Sequence, residues 1–285
     1  MRIQKLETTD AFIAFDLDGA ETSVGIARLA PKILVDGAEL LARSNTYLFA
    51  SFSLRIGGAS AGINAKPEAR AEAIAAFEAE VAPLVATGSL VLYPGNGLGD
   101  EDLAPLGERP VSLDPALSAR GCVAAAEAAL GTLDGKPVAI DGSGEIVDAT
   151  RAAVTERGAS VIDGGIDAPA SIVFVAGKAG VVDHDVAAKV QAEAVVPLTP
   201  VPVTAKAYAV LSRAGVVYVP DFLALAAPLL ARFDPNATAD PVDRVRASVE
   251  ELADQGVNLW RAAVTRAETF LATWQDALPY GRPLA

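Results

Sequence analysis

A single cysteine, Cys122, occurs in the whole chain, so no intrachain disulfide framework can brace it, and a reducing cytoplasm is the expected setting. Histidine is as scarce. His184 stands alone between Asp183 and Asp185, where Asp183 is expected to cap the helix that follows, and no metal site is expected there. No apolar stretch approaches the length that crosses a bilayer, and the N-terminal residues lack the pattern of an export signal, so no membrane association is expected. Basic residues are the minority, 23 Lys and Arg against 36 Asp and Glu, for a net charge of −13. Nucleic acid and anionic membrane surfaces are therefore not expected as partners.

What is present suits an α/β protein. Apolar residues make up 52% of the 285 positions, many of them alanine, enough chain for two domains with a core each. Ala11–Phe15 reads as an early strand, and residues 36–52 as a helix with Leu40, Leu41, Leu48 and Phe52 at roughly helical spacing. Pro67 fits the first turn of a second helix, whose buried stripe is Ile74, Phe77, Val81 and Leu84. A strand over 89–93 ends in the turn cluster Pro94-Gly95-Asn96-Gly97, and 115–130 reads as a helix closed by Gly131. From Val138 the chain alternates strand and helix. Strands are expected at 138–140, 160–162, 171–175, 194–196 and 216–219, with helices at 145–157, 185–191 and 204–213 between some of them. That alternation implies a mostly parallel sheet. Two amphipathic helices follow from Pro241, the second carrying Trp260 and Trp274.

Two segments carry more specific information. Ser44-Asn45-Thr46-Tyr47-Leu48 is followed, twelve residues beyond Leu48, by Ser60 in the run Gly57-Gly58-Ala59-Ser60-Ala61-Gly62. The pair resembles the active-site segment of the Glu/Leu/Phe/Val amino-acid dehydrogenases, M-T-Y-K and then the lysine of G-G-G-K. The likeness continues through Gly25, Arg28 and Leu29 (G-G-T-R-M in the family) and through residues 115–121 (S-P-x-x-T-x-x-G). It extends to residues 197–204 (E-G-A-N-G-P-T-T) and 219–228 (V-P-D-F-L-A-N-A-G-G). It implies a two-domain α/β fold with a reduced Rossmann-type sheet. Residues 1–130 would form the substrate and oligomerisation domain, 131–240 the dinucleotide-binding-like domain, and 241–285 helices returning to the first lobe. A homodimer or larger even oligomer follows from the same likeness. An edge strand near 11–16, lacking proline and lysine, is the expected seam.

The departures fall where the family's chemistry lies. The first lysine grips the substrate carboxylate and the second activates water; here those places hold Leu48 and Ser60. Asn96 stands for the aspartate that shuttles protons, and an amide is not a general base near neutral pH. Pro200 and Leu225 replace two asparagines, which leaves the carboxylate pocket apolar. Ser118 replaces the threonine that touches nicotinamide. Gly142-Ser143-Gly144 keeps two glycines of the dinucleotide fingerprint, but Val147 takes the third place and Glu145 opposes a phosphate. A short loop at Asp163 replaces the helix and strand that border the adenosine, although Asp163 could still hold a ribose. NAD or NADP binding is accordingly expected to be weak at most.

The candidate site residues are thus Ser60 and Asn96 for catalysis and Arg28, Asn45, Leu48 and Leu225 for the ligand. Gly142, Ser143, Gly144, Ser118 and Asp163 are the candidates for a cofactor. Three readings stay open: an enzyme working on a small, weakly charged ligand in the interdomain cleft without the lysine chemistry, a non-catalytic pseudoenzyme or binding subunit, and an NAD(P)-dependent dehydrogenase. A further likeness, Asp16-Leu17-Asp18-Gly19 to the D-x-D-G-T of haloacid-dehalogenase-type phosphotransferases, lacks the threonine, and a solvated strand-end turn is expected there instead.

Overall fold

The computed structural model describes residues 1–107, 113–256 and 258–276. Contacts divide the chain into two compact units, with residues up to 107 and 268–276 in one and 113–267 in the other.

The first unit runs β1 (Arg2–Lys5), β2 (Ala11–Phe15), β3 (Ser23–Ala30), α1 (Val35–Ser51), β4 (Gly57–Asn64), α2 (Arg70–Ala86), β5 (Leu90–Pro94) and α3 (Asp100–Leu103). Its sheet has the order β1-β2-β4-β3-β5, with β3 parallel to both β4 and β5, and β2 antiparallel to β4. Period-two alternation splits the side chains between the faces. Ile13, Phe15, Ala27, Leu29, Ala59, Ala61 and Ile63 meet Ile74, Phe77 and Val81 of α2. Phe12 and Ala14 meet Ala38 and Ala42 of α1. β4 carries no large side chain on its α1 face because the helix lies nearly against its backbone. A methyl group on Gly58 would stand 1.8 Å from the carbonyl oxygen of Ala42.

That strand is absent from the sequence-based reading, and so is β1. The consequence is a correction. β2 is paired on both sides, to β1 and to β4, so the 11–16 segment is interior and cannot be a dimer seam. The edge is β1, a four-residue strand ending in Arg2 and Lys5, whose charge and brevity guard against strand addition. The D-x-D-G turn is also structural. Asp16 is buried and accepts from Arg43 Nε at 2.6 Å, so it is neither a solvated turn nor an available nucleophile.

The second unit runs α4 (Pro115–Leu130), β6 (Pro137–Asp141), α5 (Glu145–Glu156), β7 (Ser160–Val161), β8 (Ile172–Val175) and α6 (His184–Ala187). It continues through β9 (Ala194–Pro197), α7 (Ala205–Arg213), β10 (Val217–Tyr218), α8 (Asp221–Ala224), α9 (Ala227–Phe233), α10 (Pro241–Ala253) and α11 (Leu259–Leu271), whose last four residues group with the first unit. Its five strands are all parallel in the order β10-β9-β8-β6-β7. The chain leaves β7 and returns to the far side of β6 with no helix and no further strand, which is the reduction expected from the short loop at Asp163. α4, grouped with the first domain in the sequence reading, packs on α5 and α10 within this unit. Residues 277–285 of the proposed C-terminal segment lie outside the described residues. The aromatic stripe of α11 begins as packing, with Trp260 against Tyr208, Tyr218 and Phe222 at ring separations of 5.1–5.7 Å. Asp183 caps α6 as expected, accepting from the amides of Asp185 and Val186.

Cys122 lies on α4, fully buried, with Sγ 3.4 Å from the Pro197 carbonyl oxygen and 3.5 Å from that of Ala224. Burial pushes its thiol up to about 12, so at pH 8 it is protonated and a poor nucleophile. Native protein is expected to leave Ellman's reagent unreacted for hours, and protein unfolded in guanidinium to react with one thiol in seconds. Fast labelling of the folded form would contradict this placement.

Candidate functional site

In the first unit the structure gathers Arg28, Asn45, Leu48 and Ser60 into the layer where α1 meets the sheet. β4 places Ser60 beside Ile26 of β3, and Gly62 beside Arg28, so Ser60 and Arg28 project from one face two residues apart. Tyr93 of β5 pairs with Ile26 on that face, and its hydroxyl donates to Asn45 Oδ1 at 3.0 Å. Leu48 lies one turn beyond Asn45 on α1, buried like Asn45 and Tyr93. Ser60 is wholly inaccessible, and its hydroxyl has no hydrogen-bond partner among the described residues. Sequence order alone could not show that burial.

Asn96 is placed differently. It stands in the turn after β5, exposed, and holds the sheet end through its carbonyl, which accepts from the Leu29 amide at 2.9 Å. The structure therefore does not seal Asn96 into the layer with Ser60.

Beneath this layer lies a second polar group. Thr46 Oγ1 accepts from the Gly58 amide at 2.9 Å, and the Gly58 carbonyl accepts from the Asp16 amide at 2.9 Å. Asp16 and Arg43 complete it. Burial raises the Asp16 carboxyl above its ordinary value, while the Arg43 charge and hydrogen bonds from Thr46 and Arg43 pull the other way. This network fixes α1 on β4, and with it the positions of Asn45, Leu48 and Ser60. Its members are far apart in sequence, so spacing gave no signal for it.

In the second unit Gly142-Ser143-Gly144 links β6 to α5, all three exposed. Gly142 has φ +121°, and a Cβ there would lie 2.6 Å from the Ala176 carbonyl oxygen, so only glycine fits. Gly144, at φ +108°, has open space around it and offers α5 no side-chain cap, which leaves first-turn amides for an acceptor. Val147 is buried against the sheet, and Glu145 is exposed in the first turn. Asp163 follows β7 and is exposed, while nearby Asp141 Oδ2 accepts from the Ile166 amide at 3.1 Å. These residues fit a dinucleotide's diphosphate at the turn and one ribose contact at Asp163, with the wall beyond β7 missing. Ser118 on α4 is buried and donates to the Asp114 carbonyl at 2.9 Å. Leu225 is half-buried at the end of α8.

Sequence reasoning missed one feature here. Val201 adopts φ +52°, a left-handed conformation that a β-branched residue rarely takes. Its amide donates to buried Asp221 Oδ2 at 2.9 Å. Where the resembling family motif has N-G-P, this chain has Pro200-Val201-Pro202, so Val201 occupies the glycine position. The substitution itself was the available signal.

The overall topology is shared with solved structures. A hetero-hexameric glutamate dehydrogenase from Thermus thermophilus, in a Leu-bound form, superposes with a TM-score of 0.75 at 19% identity, over 91% of this chain and 83% of that one. The L-tryptophan dehydrogenase of Nostoc punctiforme gives 0.71 at 19% identity, over 95% and 96%. A glutamate dehydrogenase from Plasmodium falciparum gives 0.70 at 12%, over 93% and 78%. The fold is that of the amino-acid dehydrogenases. No family model and no curated protein sequence matches the chain. At such identities the neighbours establish the fold of this amino-acid dehydrogenase-like protein, and its chemistry must be argued from its own residues.

The trimmed turn at Gly142–Gly144 bounds any affinity for a dinucleotide. Calorimetric titration with NAD⁺ and with NADPH is expected to show Kd weaker than ~100 μM for both, since one glycine turn and one carboxylate supply few contacts. Low-micromolar affinity for either would show that other residues have rebuilt the adenosine wall.

Proposed function

We propose that this amino-acid dehydrogenase-like protein is a repurposed enzyme that acts on a small molecule without lysine chemistry. The observation that supports it is the hydroxyl of Ser60, buried without a partner among the described residues, on the sheet face that also carries Arg28 and, across β3, the Tyr93–Asn45 pair. A buried hydroxyl without a partner costs about 1–3 kcal/mol, and an alanine would avoid that cost. A hydroxyl held there suits donation to a ligand carbonyl or amide oxygen, polarising it as charge develops. Asn96, exposed at the end of β5, can orient a ligand through its amide but cannot exchange protons with it. Ser118 and the Gly142–Gly144 turn belong to this proposal as cofactor candidates of the second unit, and Leu225 is carried as a ligand candidate on the family resemblance alone.

The other reading, a non-catalytic binding subunit, draws on the same burial: Ser60 and Leu48 are sealed from solvent as inert replacements would be. Incubating the protein with the small-molecule fraction of a cell extract, with NAD⁺ and NADPH added, separates the two. Mass spectrometry is expected to show a compound consumed by the native protein and spared, by tenfold or more, by Ser60→Ala. Binding of a compound without its consumption would establish the subunit reading instead. A cytoplasmic location and a homodimer or larger even oligomer are part of the proposal, supported by the single cysteine and by the hexameric neighbour. A monomer in light scattering at high micromolar concentration would remove the oligomer. Among the described residues no helix is long and apolar enough to cross a membrane.

A further inference from the structure

We propose a further binding site in the second unit, where a cavity between α7 and the start of α11 takes the phosphate of a small organic phosphate monoester. The site is independent of the Ser60 reading, since its lining residues all belong to the second unit.

The cavity has a volume of about 540 Å³, within the range of small-ligand sites. Tyr208, Ser212 and Arg213 of α7 line one side, and Asn258 and Arg261 line the other. A smaller chamber of about 260 Å³ shares Ser212 and Asn258 with it and borders Val217, where the edge strand β10 begins. The second unit's strands are parallel, and the Gly142–Gly144 turn follows the C-terminal end of β6. The two chambers therefore stand at the opposite end of the sheet from that turn.

Charge sets the site apart from the rest of the chain. The protein carries a net charge of −13, yet none of the residues lining either chamber is acidic. Residues 194–220 and 255–267, which supply most of the walls, contain no Asp or Glu at all. Arg213 and Arg261 have no ion pair among the described residues. Elsewhere in this unit Arg244 pairs with Asp234, Arg246 with Glu127 and Arg266 with Glu251.

The hydrogen bonds leave only donors facing the cavity. The Arg261 backbone amide, which can only donate, meets Asn258 Oδ1 at 3.3 Å, and this fixes which end of the Asn258 amide is oxygen. The Tyr208 hydroxyl donates to the same oxygen at 2.6 Å. Burial raises that hydroxyl above its ordinary value, against its hydrogen bonds with Asn258 and Ser212 and the nearby Arg261 charge, so Tyr208 keeps its proton. Asn258 Nδ2 has no acceptor among the described residues, and the two guanidinium groups have none to offer it. Two cations and an amide N–H₂ call for a ligand that only accepts and carries about two negative charges. A phosphate monoester above its second pKa of ~6 meets both conditions, and its three terminal oxygens give each donor group a partner. A carboxylate supplies one charge and two oxygens. The organic body has apolar surface to meet, at Ala205, Ala209 and the Tyr208 ring, or past Asn258 at Val217 and Leu259.

Calorimetric titration of the full-length protein at pH 8 with phenyl phosphate, benzoate and inorganic phosphate tests the site. Phenyl phosphate is expected to bind with one site per chain at a Kd of ~0.1–1 mM, and the other two at least tenfold more weakly. Arg213 and Arg261 are exposed, so Arg213→Gln combined with Arg261→Gln keeps the fold, and it is expected to weaken phenyl phosphate at least tenfold. Unchanged binding by that variant would place the phosphate elsewhere and overturn the site. Benzoate binding as tightly as phenyl phosphate would overturn the phosphate class, and inorganic phosphate doing so would overturn the organic body. No binding of phenyl phosphate at 10-fold above the expected Kd range would overturn the proposal as a whole.

Discussion

Leucine, valine, phenylalanine and glutamate are expected to give no saturable NAD(P)H formation, with any residual turnover below ~10⁻³ s⁻¹ against the 1–10³ s⁻¹ usual for enzymes. Leu48 is buried on α1 and can neutralise no carboxylate. At position 60 the side chain is fully enclosed and lacks any fixed charge, so it cannot polarise the reacting carbon as an ammonium would. Asn96 offers an amide in an exposed turn and cannot relay protons. Groups of this kind act as a unit, so losing all three costs about what losing the most important one costs, typically several orders of magnitude. The assay uses high protein concentration and both cofactors at millimolar levels, so that weak cofactor affinity does not hide activity. Saturable turnover of any of the four would return the protein to the ordinary dehydrogenases.

Much of the fold was legible because its signals are local. Pro115 and Gly131 bracket α4, the apolar stripe of α2 recurs at helical spacing, and Gly142 and Gly144 mark the strand-to-helix turn. β4 was not legible as a strand. Gly57-Gly58-Ala59-Ser60-Ala61-Gly62 has little β propensity, and the close approach of α1 to Gly58, with Phe12 and Ile33 against Gly62, explains why small residues are required there. β1 was missed for a related reason: four residues with two cations resemble a solvated terminus until the pairing to β2 is seen. The candidate residues were named by position, and their burial and bonding were not legible. Motif spacing pointed to Ser60, Asn45 and Arg28, which lie on β4, α1 and β3 of one unit, yet whether a hydroxyl or a guanidinium finds a partner depends on residues from other strands. Asp16 was expected in a solvated strand-end turn for the same reason, its partner Arg43 lying 27 residues away.

That pair also carries the largest stability effect expected of a single substitution. Both side chains are almost entirely enclosed, with Arg43 Nε donating to Asp16 Oδ1 at 2.6 Å and the Asp16 amide tied to β4. Arg43→Met keeps the length and apolar stem of the side chain but strands a buried carboxylate, for which a loss of about 3–5 kcal/mol near pH 7 is expected. The pH dependence gives the cause. Burial already raises the Asp16 carboxyl above its ordinary 3.8, and removing the Arg43 charge removes an opposing influence, so the folded variant holds its proton more tightly still. A carboxyl with a raised folded pKa contributes its stability below its unfolded value and loses it as pH rises through the folded value. The penalty of Arg43→Met should therefore shrink on acidification towards pH 5, and Asp16→Asn combined with Arg43→Met should be insensitive to pH over the same range. Urea unfolding of the native protein and both variants at pH 5, 6, 7 and 8 measures this. A penalty for Arg43→Met that stays constant across the series would mean that lost packing, and not a stranded charge, is what the substitution costs.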